Sequence, residues 1–524
     1  MKKMTKIVAA ILALCMCFGL FTACGNNGGK VLKIQIVNGG YGNEWLMKSA
    51  EAFEKKTGIT VDVESIPRFA SQSQAVSFLA NPKAAKGVDL VFNIQSLLVE
   101  HVVGEKERIT EGYDCALESL DDVYSAEVDG KTYKEKLIDG FAEGYAIKDE
   151  NGEDHYYSVP WVSPDVGLVI NRTQYDKIVD HYPRTSDELV EICRAIREGG
   201  KTPFVFSSQT GYWTYALITW WAQYQGIEAF SDFNKGIDDN EYSTRIFRQQ
   251  GRLKALETLE ELISYDESSN GANDFIHENV NTLKFAQAQA KLMVGDGVMQ
   301  PNGDWLENEM KKTAAGEELD EIDIIKFPVL SSIVETLEDK SMSDVTLRSC
   351  IDAVDNGEAA PAGVSGSDFA KIKAARSVIY NTGKAHNAFI PAFAEEKQEA
   401  KDFLVFLASD EAMELFIKNT SGSSSPFKYD FDATQSGKDI YAGLSDFQKS
   451  HYKMLENASL IDFVTTKFNY IGGVSYFTVD TNPEICFTAQ YAKDRKSAKT
   501  IFNDDIEYWT DYRWNNVLTL LGLN

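Results

Sequence analysis

Val31-Leu32-Lys33-Ile34-Gln35-Ile36-Val37 alternates apolar and polar side chains, the period of a half-buried strand. Asn38-Gly39-Gly40-Tyr41-Gly42-Asn43 follows as a glycine-rich loop. Trp45 to Lys56 then repeats apolar residues at helical spacing, with Leu46, Ala50 and Phe53 on one face. Lys55 and Lys56 suit the negative end of that helix, and Gly58 is placed to cap it. Ile59 to Ile66 and Val88 to Phe92 read as the second and third strands. Strands alternating with helices restrict the chain to an α/β architecture with a mainly parallel sheet. Ligands on such sheets gather at the loops beyond the carboxyl ends of the strands. Here those loops are Tyr41 to Glu44, Pro67-Arg68 and Asn93-Ile94-Gln95.

A second α/β unit begins near residue 155. Glu143 to Lys148 and His155 to Val159 read as a hairpin, because Asn151-Gly152 between them is a strong turn signal. Val166 to Asn171 continues extended. Thr185 and Glu188 stand at capping-box spacing and open a helix. Thr202 to Ser207 returns as a strand and leads through Gly211-Tyr212-Trp213 into an aromatic helix. With 524 residues, several compact units are expected at roughly 100–200 residues each.

The N-terminus carries Lys2, Lys3 and Lys6 ahead of an apolar run from Ile7 to Phe21, the layout of a secretory signal. Leu20-Phe21-Thr22-Ala23-Cys24-Gly25 resembles a bacterial lipobox, although Phe21 stands where Leu is usual. That resemblance implies cleavage before Cys24 and a diacylglycerol, with its palmitate-like chains, on the thiol. Asn26-Asn27-Gly28-Gly29 then reads as a flexible tether. Cys115, Cys193, Cys350 and Cys486 lie far apart with no C-x-x-C pair, and two disulfides or four core thiols fit equally.

Lys and Arg number 52 against 79 Asp and Glu, a net charge of −27. Such a surface repels phosphate backbones and argues against nucleic-acid binding. The two Gly-Lys-Thr tripeptides, at Gly130 and Gly200, lack the earlier glycine of a phosphate loop, so no ATPase is expected in this chain. The six histidines never pair at metal spacing, and no metal or other cofactor is expected. Ser425-Pro426-Phe427-Lys428 fits the S-x-x-K nucleophile pattern without companion motifs, and no catalytic residue is assigned. Paired carboxylates of a surface glycoside hydrolase are the rival class, since so many acids allow many pairs.

In order along the chain, Lys56 to Val61, Asp89-Leu90-Val91-Phe92, Val159-Pro160-Trp161, and Leu168 to Asn171 followed by Pro183 to Leu189 form a pattern. Gln287 to Met293 before Gly303-Asp304-Trp305, then Ile390-Pro391 and Ala400 to Leu404, continue it. The whole, over roughly residues 31–428, resembles the extracellular solute-binding proteins of sugar-importing ABC transporters, of the maltose-binding type. Three features depart from the pattern: Ser186 where an aromatic is common, a polar insertion at 331–385, and a longer tail after 428.

The resemblance implies a two-lobed clamp of type II, each lobe a mainly parallel sheet flanked by helices. Residues 1–23 would be the signal and 24–30 the tether. Residues 31–150 with about 327–412 would form the first lobe, and 151–326 with about 413–524 the second. The chain would cross between lobes near 148–155, 326–330 and 410–420. A monomer held on the outer face of the cell membrane by its lipid would capture a sugar and pass it to permease subunits, with ATP hydrolysed on a separate chain. The alternative within binding proteins is another small polar ligand, a peptide or polyamine. First-lobe candidates for the sugar are Tyr41, Glu44, Arg68, Asn93 and Gln95, with Trp161 beside the hinge. Second-lobe candidates are Tyr212, Trp213 and Trp305. Of these, Tyr212 and Trp305 occupy positions that match the sugar-stacking aromatics of the maltose-binding type. Trp220 and Trp221 face different ways on a helix, so at least one of them is expected to be packing.

Overall fold

The structure, a computed structural model, describes residues 30–67, 87–104, 115–264, 275–313, 319–478, 482–489 and 491–523. The signal, Cys24, most of the tether and Arg68 lie outside these residues. No helix among the described residues is long and apolar enough to cross a membrane.

The first lobe is built on a five-stranded sheet in the order Thr60–Pro67, Val31–Asn38, Leu90–Phe92, Asn387–Phe389, Val159–Pro160. The first three strands are parallel, and helix Glu44–Thr57 makes the crossover between Val31–Asn38 and Thr60–Pro67. Leu32, Ile34 and Ile36 point into the core while Lys33 points out, so the alternation in the sequence is the alternation of burial. Helix Glu44–Thr57 buries Trp45, Leu46, Ala50 and Phe53. It ends at Gly58, whose φ of 76° is left-handed and whose N–H donates to Glu54 O at 2.7 Å.

The second lobe departs from a mainly parallel sheet. Val166–Asn171 lies between Met299–Gly303 and Ile322–Ile325 and is antiparallel to both. Helix Leu306–Thr313 carries the chain back between the two outer strands, so they run the same way. The central strand, arriving from the first lobe, slots between them in the opposite sense. Its six residues are all buried, and a Cβ at Gly167 would stand 2.3 Å from Ile325 O, so only glycine permits this spacing. The expected strand at Thr202 to Ser207 contributes bridges at Phe204, to Ile276 and Met299.

Local expectations near the hinge change too. Glu143 to Tyr145 belongs to a helical turn, Phe141–Tyr145, and the hairpin pairs only Ile147–Lys148 with Asp154–His155. Thr185 caps helix Ser186–Glu198 through Oγ1, but Glu188 reaches back to Arg184 N instead of the cap residue.

The insertion packs on the second lobe, not the first. Ser331 N donates to Ser186 Oγ at 2.9 Å, Leu330 N donates to Gln223 Oε1 at 2.9 Å, and Arg184 pairs with Asp352 at 2.6 Å. Val329, Ile333, Leu347, Ile351 and Ile372 form a core of its own beneath helices Asp344–Asp355 and Gly366–Ser377. Conversely, helix Asp410–Asn419 belongs with the first lobe, where Phe416 meets Trp45 edge-on at 5.0 Å.

The crossings therefore lie at 161–165, between Val159–Pro160 and Val166–Asn171, and at 381–386, between Val378–Tyr380 and Asn387–Phe389. A third follows Lys428 through helix Gln435–Gly443 to Asp446–Leu455, where Ser450 Oγ accepts from Ile324 N. The expected crossing at 326–330 stays in the second lobe, because Val329 bridges Thr185. Beyond it, helices Ala498–Tyr508 and Asp511–Leu520 cover the second lobe, with Trp509 stacked on Phe247 at 5.0 Å. Cys115, Cys193, Cys350 and Cys486 carry free thiols.

Candidate functional site

Where the lobes meet, three rings from separate segments converge on Tyr41. The loop Gly39-Gly40-Tyr41-Gly42 closes a turn, with Gly42 N donating to Gly39 O at 2.9 Å. This directs Tyr41 edge-on against Trp161 at 5.9 Å, Trp305 at 6.3 Å and His386 at 5.8 Å. Trp161 opens the first crossing, His386 closes the second, and Trp305 precedes helix Leu306–Thr313 of the second lobe. Trp161 stacks on Trp45 at 5.6 Å and 11°, and its Nε1 donates to Asn93 O at 2.9 Å. Across the seam Asn308 Nδ2 donates to Gly40 O at 2.6 Å, and a Cβ on Gly40 would lie 3.0 Å from Trp305.

Behind the rings lies a buried polar network. Tyr41 Oη donates to Asp304 Oδ1 at 2.9 Å, joining the two lobes directly. Asn381 Nδ2 donates to Asp165 Oδ1 at 2.7 Å and to Ser163 Oγ at 2.9 Å, tying the second crossing to the first. Ser163 N donates to Ser424 O at 3.0 Å, and His451 Nε2 lies 3.4 Å from Asp165 Oδ2. Burial pushes Asp304 up to about 7; His451 pulls down, Asp165 pushes up, and hydrogen bonds from Tyr41 and Ser423 pull down. Burial alone would lower His451, but Asp165 and Asp304 hold it above its ordinary value. Burial and the charges of Asp304, Asp165 and Glu309 raise the Tyr41 hydroxyl.

A raised carboxyl pKa gives a stability contribution that is full in acid and lost as pH rises through the folded value, here about 7. His451, also raised, acts in the same direction. Asp304→Asn keeps an acceptor for Tyr41 and cannot ionise. The melting temperature of the parent should therefore fall relative to Asp304→Asn between about pH 4 and 7 and run level with it above that. A gap that does not change with pH would refute this assignment.

The second-lobe aromatics divide by helical phase. Helix Trp213–Gln225 turns Trp213, Leu217 and Trp220 inward, and Trp213 meets Phe204 at 5.0 Å as a fully buried core residue. Trp213 is thus not in the wall of the seam. Trp220 and Trp221 are both core, with indole N–H groups donated to Pro328 O and Gln249 Oε1. Tyr212, half-buried, stacks on Tyr215 at 5.2 Å, and Tyr215 stacks on Tyr380 at 5.4 Å next to the second crossing. Lys384 lies over the Tyr380 ring at 5.9 Å and pairs with Asp462 at 2.6 Å.

On the first-lobe side Asn93 is buried, with Nδ2 donating to Gln95 O at 2.8 Å and Oδ1 without a partner among the described residues. Gln95 is half-buried, and Glu44 is exposed in the first turn of its helix. The sequence reading missed Asp304, Asp165, His386, Asn381, His451, Tyr215, Tyr380 and Lys384. Only Asp304 carried a signal, as the neighbour of Trp305.

Other chemistry separates cleanly. Lys428 Nζ is held by Asp139 at 2.7 Å, while Ser425 Oγ accepts from Phe427 N, so the S-x-x-K spacing forms no nucleophile pair. Asp149, Glu153 and His155 place ligand atoms within 4.8 Å of one another on the hairpin turn, though His155 Nδ1 lies 2.8 Å from Asp121.

The sequence model of the bacterial extracellular solute-binding proteins matches residues 39–414. Among curated relatives, the diacetylchitobiose binding protein NgcE of Streptomyces coelicolor is 24% identical over 305 residues, 57% of this chain. That match spans only 56% of the relative's own length. Among solved structures, one from work on xylan utilization by Caldanaerobius polysaccharolyticus is 14% identical, with a TM-score of 0.59 over 92% of this chain and 100% of that one. The maltose-bound MalE3 of T. maritima is 18% identical, with a TM-score of 0.55 over 91% of this chain and 100% of that one. At such identities the structures speak for the fold, and the family match covers well over half the residues. The chain belongs to the bacterial extracellular solute-binding proteins.

Proposed function

We propose that this protein is a lipid-anchored receptor that captures a sugar or oligosaccharide by hinge closure and delivers it to the permease of an ABC importer. The observation that carries the reading is the aromatic seam of Tyr41, Trp161, Trp305 and His386, which both lobes and two crossings build. A pyranose offers an apolar C–H face that aromatic planes complement, and its hydroxyls suit Asn, Gln and Asp. Asn93, whose Oδ1 has no partner among the described residues, and Gln95 supply such groups beside the seam. Lobes joined by a few extended segments hinge, and a solute that touches both shifts the population towards closure. The names of NgcE and of maltose-bound MalE3 point to carbohydrate as the solute class.

Thermal shift of the soluble chain from Gly25 onward against mono- and oligosaccharides tests this, because a bound solute raises the melting temperature with concentration. At least one glycan should stabilise the protein and be recovered unchanged after long incubation. Stabilisation by spermidine or peptides alone would assign another solute. Glycan cleavage lost with one acidic pair would make the protein a hydrolase.

Anchoring rests on Cys24. A diacylglycerol supplies the two chains that stable membrane attachment needs. Cys24→Ala should therefore move the protein from membrane to soluble fractions, and unmodified Cys24 in membrane-extracted native protein would contradict it.

A further inference from the structure

Helix Trp213–Gln225 begins without a side-chain cap of its own, Tyr212 holding the N-cap position. The acceptor comes from far along the chain. Glu484, in helix Pro483–Thr488, accepts the Trp213 N–H through Oε1 at 2.6 Å, and the Thr214 N–H also bonds its carboxyl. Glu484 is 0% exposed, and its Oε2 has no partner among the described residues. The same short helix is pinned to the loop before Tyr212. Asn281 Nδ2 donates to Thr488 O at 2.7 Å, Thr488 Oγ1 donates to Asn281 Oδ1 at 3.0 Å, and Ser208 Oγ donates to that same Oδ1 at 2.9 Å. Both ends of the loop that carries Tyr212 are thus tied to residues 484–488.

We infer that the C-terminal tail is part of the solute site, with Glu484 as the residue that positions Tyr212. This rests on the reading of Tyr212 as a solute contact. A buried carboxyl is costly unless it serves a specific geometry, and here it supplies the acceptor that the Trp213 N–H requires, while the Thr214 N–H is shared with Gly211 O at 3.1 Å. Burial pushes Glu484 up to about 8 against the pull of the two amides, and no charged side chain contributes. At neutral pH it is therefore mostly protonated and caps the helix without burying a charge. Without that acceptor the first turn frays, and Tyr212 leaves its stack on Tyr215.

The test uses the full soluble chain with N,N′-diacetylchitobiose, raffinose and maltose as calorimetric probes. Glu484→Ala should weaken the tightest probe roughly tenfold, and Glu484→Gln, which keeps an acceptor oxygen, by less than about twofold. In a Tyr212→Ala background the effect of Glu484→Ala should shrink to less than about twofold, because the pair acts as a unit. An equal loss in both backgrounds overturns the positioning role. Should Glu484→Ala not fold, or no probe bind, 5-fluorotryptophan labelling of the parent decides the cap by itself. The Trp213 fluorine resonance, assigned with Trp213→Phe, should titrate near pH 8 in the parent and not in Glu484→Gln. A flat Trp213 resonance overturns the inference, whereas failure of every probe with a titrating Trp213 removes only the sugar reading.

Discussion

Arg252→Ala should produce the largest loss of stability of any single substitution considered, about 3–5 kcal/mol. Arg252 is 1% exposed and pairs with Asp505, equally buried. Its guanidinium also donates to Tyr476 O at 3.0 and 3.1 Å and lies over Phe477 at 5.0 Å and Phe502 at 5.7 Å. Burial lowers its pKa and Asp505 opposes the shift. Truncation therefore removes the Arg252 charge from beside the Asp505 carboxylate at a site only 1% exposed. Arg252→Met with Asp505→Leu should recover much of the loss, since a packed apolar pair often matches a buried ion pair. Recovery stays partial, because Asp505 Oδ1 also accepts from Thr478 N. Denaturant unfolding followed by tryptophan fluorescence measures both. A single variant as stable as the parent would show that the pair contributes nothing.

Trp305→Ala should weaken glycan binding roughly 10- to 150-fold, the loss of about 1.5–3 kcal/mol for uncovering an aromatic side chain. Trp305 is 9% exposed, sits just before helix Leu306–Thr313, and faces Tyr41 across the seam at 6.3 Å. Trp305→Phe should lose less, because a smaller ring still stacks. A residue with a purely structural role gives the opposite pattern. Its truncation costs about 3–5 kcal/mol of stability and leaves the affinity of the folded fraction intact. Melting temperature and affinity measured on the same variant separate the cases. Strong destabilisation with unchanged affinity would place Trp305 in the core and remove it from the solute site.

Features that rest on neighbouring residues were legible in the sequence. The alternation of Val31 to Val37 became a half-buried strand, the apolar spacing of residues 45–56 became a helix, and Gly58 became its left-handed cap. Thr185 capped its helix, and the ordered motifs pointed to the family that the match over residues 39–414 establishes. All of these depend on periodicity or on φ, which a few adjacent side chains determine.

What the tertiary structure decided is everything that needs two distant segments in one place. Tyr41 and Asp304 stand 263 residues apart, His451 and Asp165 286, and Glu484 and Trp213 271, and no periodicity links them. The sense of the second sheet followed from the helix between its outer strands, and the side chosen by the 331–385 insertion from its bonds to Ser186 and Arg184. Tyr212 and Trp213 are adjacent in sequence and alike in chemistry. One lines a half-open stack and the other fills the core, because a helix turns successive side chains by about 100° and only the packed lobe defines which direction is inside.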